Sequence, residues 1–138
     1  MSRRGATAPA APRRARNTRP AALGVNDRID LMFRAFSDPT RLRILYLIRE
    51  RELCVGDLVS VLRLPQPSVS RHLSYLRRSG LVKVRRDGLW AFYALSEVET
   101  PFHRKLFDCL GACFGGVPEI ARDAQRAEKL RRSGGCCP

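Results

Sequence analysis

Long apolar runs are missing from this chain of 138 residues. No stretch approaches the roughly 18 consecutive apolar residues that indicate a membrane-spanning helix. The first 25 residues are mostly Ala, Pro and Arg, without the apolar segment that a secretory signal contains. We therefore expect a cytoplasmic protein with no membrane partner, and at this length a single small domain with one core.

Signals of a disulfide framework and of an enzyme are also missing. Five cysteines, an odd number, occur in a chain without a secretory signal, which argues against structural disulfides. No Gly-rich phosphate-binding loop and no βαβ pattern accompanies them, so a small thiol oxidoreductase is disfavoured. We expect neither catalytic residues nor a permanent cofactor.

Acidic residues are scarce relative to basic ones, and lysine is scarcer still. The chain has 26 Lys and Arg against 13 Asp and Glu, a net charge of +13, and only three of the basic residues are Lys. From Arg63 to Arg86 there are seven basic residues and no acid. Arginine suits phosphates and guanine edges, so the first candidate partner is a nucleic acid. Histone-like and ribosomal proteins share such a charge, so charge alone does not decide the class.

Periodicity divides the chain into three parts and predicts a mainly α fold with a small β-hairpin. Residues 1–25 have no apolar face and are predicted to be a disordered basic arm. Residues 26–132 form the folded domain, and residues 133–138 a flexible tail that contains cysteine. Within the domain, Asp38 and Pro39 start an apolar core helix whose solvated edge carries Arg41 and Arg43. Two more helices follow, then two alternating strands around Asp87-Gly88 and no other strand, and then further helices.

The helix that runs from Pro67 to about Ser79 and the hairpin carry the side chains predicted to contact double-stranded DNA. Short hydroxyls and an amide approach base edges closely, and Arg clamps guanine or phosphate. On the helix these residues are Gln66, Ser68, Ser70, Arg71 and Ser74, while His72 is predicted to pack in the core. On the hairpin, phosphate contacts are predicted for Lys83, Arg85 and Arg86. An ordinary solvated basic surface is the alternative for both groups.

Four motifs in unbroken order resemble one known family. FRAFSDPTRLRILYLI, ELCVGDL, LPQPSVSRHLSYLRRSGLV and WAFYALS, spread over about residues 28–96, are similar to the arsenic-responsive, metal-sensing ArsR/SmtB repressors. The resemblance implies a winged helix-turn-helix homodimer that represses its own resistance operon until a toxic metal or metalloid ion releases it. It also implies that the first and last helices form the dimer.

The cysteines depart from the family pattern. Many arsenic-sensing members have ELCVCDL, whereas here Gly56 replaces the second cysteine and leaves Cys54 as a predicted packing residue. The family's zinc-type site uses Asp, His and Glu residues on the last helix, and their spacing is not matched here. Only scattered candidates for such ligands remain, such as His103 and Asp108. Four other thiols are the predicted ligands of an arsenic(III) or antimony(III) inducer: Cys109, Cys113, Cys136 and Cys137.

Two alternatives remain open for these thiols. Cadmium, lead or mercury is also a soft ion that thiolates bind. A redox sensor would instead use Cys136 and Cys137 with another cysteine as a disulfide switch.

Overall fold

The computed structural model describes residues 25–135, so residues 1–24 of the predicted arm, Cys136 and Cys137 lie outside the described residues. The described chain has helices α1 (Val25–Phe36), α2 (Pro39–Ile48), α3 (Val55–Leu62), α4 (Gln66–Arg78), α5 (Pro101–Cys113) and α6 (Pro118–Arg132). Its strands are β1 (Leu53–Cys54), β2 (Val82–Asp87) and β3 (Trp90–Leu95). None of the helices in the described part is long and apolar enough to cross a membrane. The predicted mainly α fold with a hairpin is confirmed.

Local capping explains where these helices begin. The Asp38 carboxylate accepts from the Arg41 backbone N–H at 2.9 Å, and Pro39 occupies the first turn of α2. Thr100 caps α5 in the same way, accepting from the backbone N–H of His103 at 3.1 Å. Arg63 ends α3 in the left-handed conformation, at φ 59°, and turns the chain toward α4. Each of these boundaries is set by neighbouring residues.

The sheet has one strand more than predicted. Strands β2 and β3 pair from Val82↔Leu95 to Asp87↔Trp90, so the two-residue turn is Gly88-Leu89 and starts one residue later than expected. The additional strand is β1, which pairs antiparallel with β3 through Cys54↔Phe92. A two-residue strand is too short to show alternation, so the prediction of no other strand was wrong.

The core lies around α2, as predicted. Ile44, Leu45 and Ile48 of α2 are buried. They belong to one cluster with buried side chains from other elements, among them Leu58, Leu73, Leu76, Leu81 and Leu110. This cluster holds α3 and α4 at a defined angle to the hairpin, which positions the polar face of α4.

A buried carboxylate attaches α6 to the rest of the domain. Asp123 is fully buried and accepts from Arg43 Nε at 2.7 Å and from Arg126 Nη2 at 2.7 Å. Arg43 Nη2 also donates to the carbonyl of Leu62, and Arg126 Nε to that of Val61. The guanidinium of Arg43 therefore lies under α6, and its prediction as a solvated edge residue was wrong. The hydrogen bond that Arg43 donates to Asp123 is the main reason that the pKa of Arg43 is raised.

Replacing this carboxylate tests the role of the pair. Asp123→Asn leaves the guanidinium of Arg43 under α6 without its counter-charge, and breaking a buried pair costs about 3–5 kcal/mol. We expect a loss of free energy of unfolding of this order, measured by urea denaturation at fixed protein concentration. The matched control is Glu128→Gln, which removes an exposed ion pair with Arg131 on the same helix and leaves stability unchanged. An equal effect of the two substitutions would contradict an anchoring role for Asp123.

Candidate DNA-binding surface and thiol positions

Helix α4 has one buried face and one polar face. Val69, Leu73 and Leu76 are buried against the core. The predicted DNA-contacting residues lie elsewhere on the helix and are exposed or half-buried: Gln66, Ser68, Ser70, Arg71 and Ser74. The first turn of α4 directly follows the turn after α3, and its first residues, Gln66 and Pro67, are exposed. This is the arrangement with which such a helix contacts base edges in a major groove.

Sequence reasoning missed a cluster beside this helix. The guanidinium of Arg41 lies 4.0 Å from the ring centroid of Tyr75, and that of Arg78 lies 5.1 Å away. His72 is half-buried, with Nδ1 3.8 Å from the Asp38 carboxylate, and burial lowers the pKa of His72. The sequence contains one signal for this cluster, the i,i+3 spacing of Tyr75 and Arg78 on the same helix. The approach of Arg41 to Tyr75 depends instead on how α2 packs on α4.

The hairpin exposes all three of its predicted phosphate-contacting residues, but two of them are paired. Lys83 donates to the Glu97 carboxylate at 2.5 Å, and Arg85 donates to Glu52 at 3.0 Å. Arg85 lowers the pKa of Glu52, and Lys83 lowers that of Glu97. Arg86 makes no ion pair with any other described residue. Among the described residues, the guanidinium of Arg86 is thus exposed without a carboxylate partner, whereas Lys83 and Arg85 each have one.

The tip of the hairpin is apolar. Leu89 is fully exposed, and Trp90 next to it is 42% exposed. Asp87 and Gly88 separate them from Arg86 in the sequence, but all three side chains line one surface cavity, so a short apolar surface lies beside Arg86.

The described cysteines occupy two places. Cys109 is half-buried and Cys113 exposed, and both have free thiols on adjacent turns of α5. A hydrogen bond between them is the main reason that the pKa of Cys109 is raised, so this thiol holds its proton near neutral pH. The structure thus brings these two predicted ligands together. Within residues 25–135 no three His, Cys, Asp or Glu side chains are grouped as a metal site.

Cys54 lies at the N-terminus of α3. It is buried and disulfide-bonded, and its sulfur accepts from the Asp57 backbone N–H at 3.4 Å. The residue therefore caps α3 and also uses its sulfur in a covalent bond. The prediction of Cys54 as a packing residue did not anticipate either role.

His103, a scattered zinc candidate in the sequence, is buried at the start of α5. Its Nδ1 accepts from the Glu99 backbone N–H at 3.4 Å, and its Nε2 lies 3.5 Å from Ser96 Oγ. Burial is the main cause of the lowered pKa of His103. Both ring nitrogens thus have partners within the protein, which fits a structural role.

Comparisons with known proteins agree with this geometry. Residues 38–84 match the family model described as bacterial regulatory protein, arsR family. The arsenic resistance transcriptional regulator ArsR1 of Pseudomonas putida is 47% identical over 102 residues, which cover 73% of this chain and 74% of that protein. The arsenical resistance operon repressor of Escherichia coli is 42% identical over 83 residues, 59% of this chain and 71% of the repressor.

Among solved structures, HlyU from Vibrio cholerae superposes with a TM-score of 0.55 at 34% identity. The match covers 62% of this chain and 89% of HlyU. The chain therefore belongs to the ArsR family of bacterial regulatory proteins, DNA-binding transcriptional regulators with a winged helix-turn-helix fold.

Proposed function

We propose that this protein is a homodimeric repressor in the cytoplasm. It binds double-stranded operator DNA and leaves it when arsenic(III) or antimony(III) binds to its cysteine thiolates. The observation that carries the DNA-binding part is the polar face of α4, exposed beside a basic hairpin in an ArsR-family fold. The inducer part is supported by relatives named for arsenic resistance and by five cysteines in a short chain.

Electrostatics supports a nucleic-acid partner. With a net charge of +13, the protein attracts the phosphate backbone without regard to sequence, and the exposed Arg86 adds a local contact. Sequence is selected by α4, where hydroxyls and an amide meet base edges. The ion pairs of Lys83 and Arg85 are exposed and exchange readily for phosphate contacts.

An apolar surface supports the dimer. The Phe33 side chain of α1 is 55% exposed, and its ring centroid lies 5.3 Å from that of Phe102 on α5. A second copy of the chain covers this pair in the proposed dimer and places two α4 helices in successive major grooves, about 34 Å apart. An inducer that changes this spacing needs a coupling of about 1–3 kcal/mol to lower operator affinity 5- to 150-fold.

Thiol chemistry supports the class of inducer. Thiolates are soft ligands that prefer large soft ions to magnesium or calcium. Trivalent arsenic takes three sulfur ligands in a pyramidal arrangement, and this chain supplies five. Cadmium, lead and mercury share the preference for sulfur and are the alternative inducers. The titration of the operator complex with each ion, described below, distinguishes them from arsenic and antimony.

The role of α4 in operator binding is tested by removing one of its charges. Arg71 is exposed, and we expect Arg71→Ala to weaken specific operator binding by about 1–3 kcal/mol, a tenfold loss or more. The measurement is a gel-shift titration with DNA from immediately upstream of the coding sequence. Arg122→Ala removes the same charge from the exposed surface of α6 and is expected to leave affinity nearly unchanged. Equal losses for the two variants would exclude α4 from the interface.

The inducer is tested on the same DNA with protein reduced by a phosphine, because dithiol reductants themselves bind arsenite. We expect arsenite or antimonite to lower operator affinity 5- to 150-fold, and zinc at equal concentration to leave it unchanged. Release by cadmium, lead or mercury alone would replace the proposed inducer by one of these ions. Release by none of the soft ions would refute the inducer part of the proposal.

A thiol-based redox sensor is the second candidate, and the disulfide at Cys54 is the observation that favours it. This function predicts that peroxide releases the operator in the absence of any metalloid and that a phosphine restores binding. Peroxide without effect on the reduced protein would exclude it.

A further inference from the structure

Helix α5 carries two free thiols near its C-terminal end. Cys109 and Cys113 lie one turn apart and neither forms a disulfide, whereas Cys54 is disulfide-bonded. Cys113 is exposed and Cys109 is half-buried, so solvent reaches the pair. Side chains four positions apart on a helix face the same way, with Cβ atoms about 5–6 Å apart. One small ligand can therefore contact both sulfurs.

The spacing of these side chains disfavours a direct bond between their sulfurs. A disulfide needs Cβ atoms about 3.5–4.5 Å apart. Because α5 is an α-helix from Pro101 to Cys113, its i,i+4 separation is larger than this, and an S–S bond would require the backbone to move. An atom that lies between the two sulfurs removes this requirement. The pair therefore fits a bridging atom better than it fits a redox switch.

The two thiols already face each other. A hydrogen bond with Cys113 is the main reason that the pKa of Cys109 is raised, so the Cys109 thiol keeps its proton near neutral pH. A ligand that binds here must remove this proton. A hydroxyl group on the ligand does so when it leaves as water, so the protein needs no separate base.

The described residues supply no third ligand at this position. Between residues 25 and 135, no three His, Cys, Asp or Glu side chains are grouped as a metal site. Structural zinc takes four ligands and arsenite binds three thiols, so a pair of thiols leaves either one incompletely coordinated. The pair fully satisfies only a ligand that has two exchangeable positions.

The closeness of the sulfurs selects among such ligands. Mercury(II) with two thiolates is linear, so it holds its sulfurs apart by two full metal–sulfur bonds. Trivalent arsenic is pyramidal, and its bent S–As–S unit keeps the two sulfurs near each other. The hydrogen bond between Cys109 and Cys113 shows that these sulfurs lie close together in the folded protein. Bent arsenic therefore fits the pair better than linear mercury.

We propose that Cys109 and Cys113 form a two-thiol site for a monosubstituted trivalent arsenical, R–As(OH)₂, in which R is a methyl or phenyl group. The site goes beyond the proposed function, which concerns inorganic arsenic and antimony. In the binding reaction two As–O bonds break, two As–S bonds form, and two waters leave with the thiol protons. The As–C bond and the oxidation state of arsenic do not change.

Competition with small cellular thiols favours this class of ligand. Three molecules of a monothiol such as glutathione give arsenite three As–S bonds, one more than the pair on α5 supplies. A monosubstituted arsenical forms only two As–S bonds with any set of thiols. At the pair the second of these bonds is intramolecular, and such linkage raises affinity by about 10²- to 10⁴-fold. The site therefore retains the organic arsenical and loses arsenite.

The pair continues an apolar stripe on α5. Phe102, Leu106, Cys109 and Cys113 follow one another at spacings of four, three and four residues, which places them on one face of the helix. Phe102 contacts the exposed ring of Phe33, with 5.3 Å between ring centroids. A second copy covers these two rings in the proposed dimer. An arsenical on this stripe therefore alters the edge of the proposed dimer surface.

The site is tested in the full-length double variant Cys136→Ser with Cys137→Ser, which lacks the two thiols outside the described residues. Adding Cys113→Ser removes one proposed ligand, and adding Cys54→Ser instead is the matched control that also removes one thiol. Cys113 is exposed, and serine is itself a good N-cap at the start of α3, so both changes are compatible with the fold. Circular dichroism checks the helix content of each variant.

The measurement is intact-protein mass spectrometry of phosphine-reduced protein, titrated with phenylarsenous acid in the presence of glutathione. We expect the double variant and the Cys54→Ser control to bind one phenylarsenous acid with loss of two waters. Addition of Cys113→Ser is expected to weaken this binding about 100-fold or more. Arsenite in place of phenylarsenous acid is expected to leave no adduct on the double variant.

Three results would overturn the site: no adduct on the double variant, equal binding after Cys113→Ser, or loss of binding after Cys54→Ser with helix content intact. A stable arsenite adduct in the presence of glutathione would overturn its selectivity for organic arsenicals. These adducts are measured without DNA. Failure of the wild type to bind or leave its operator would therefore refute the proposed function and not the site.

Discussion

The buried carboxylate of Asp123 is the interaction on which the arrangement of the chain depends. Its two guanidinium partners also donate to the final carbonyls of α3, so a single carboxylate joins α2, α3 and α6. Without this pairing, α6 would present only a partly apolar surface to the rest of the domain. The cost of burying the charge is offset by five hydrogen bonds, three to Asp123 and two to the carbonyls, and the result is a defined position for α6.

The DNA-binding surface follows from the amphipathic pattern of α4. Helix α4 buries its apolar residues against the core and leaves hydroxyls, an amide and Arg71 on its remaining surface. The hairpin adds exposed basic residues, two of which are held by carboxylates. Exposed ion pairs are weak, so phosphate replaces them in the proposed function. The same surface would then serve nonspecific attraction to DNA and specific contacts with it.

Cys54 connects the thiol chemistry to this surface. It is the N-terminal cap of α3, a neighbour of Phe92 in the sheet, and a residue of the cleft beneath the end of α6. The disulfide-bonded sulfur therefore lies where α3 begins and where β1 pairs with the hairpin. The free thiols of Cys109 and Cys113 lie on α5, beyond the elements that contact DNA in the proposal.

Local sequence was sufficient to determine the helices, the hairpin and the chemistry of α4. Caps such as Asp38-Pro39, apolar periodicity and the Asp-Gly turn act between residues a few positions apart, so they can be recognised without a fold. The buried role of Arg43 and the strand β1 were decided only by the tertiary structure. Each of these joins segments distant in the chain, 80 residues in the case of Arg43 and Asp123. No periodic pattern records such a contact, because it forms only when the packing of α2, α3 and α6 removes both groups from water.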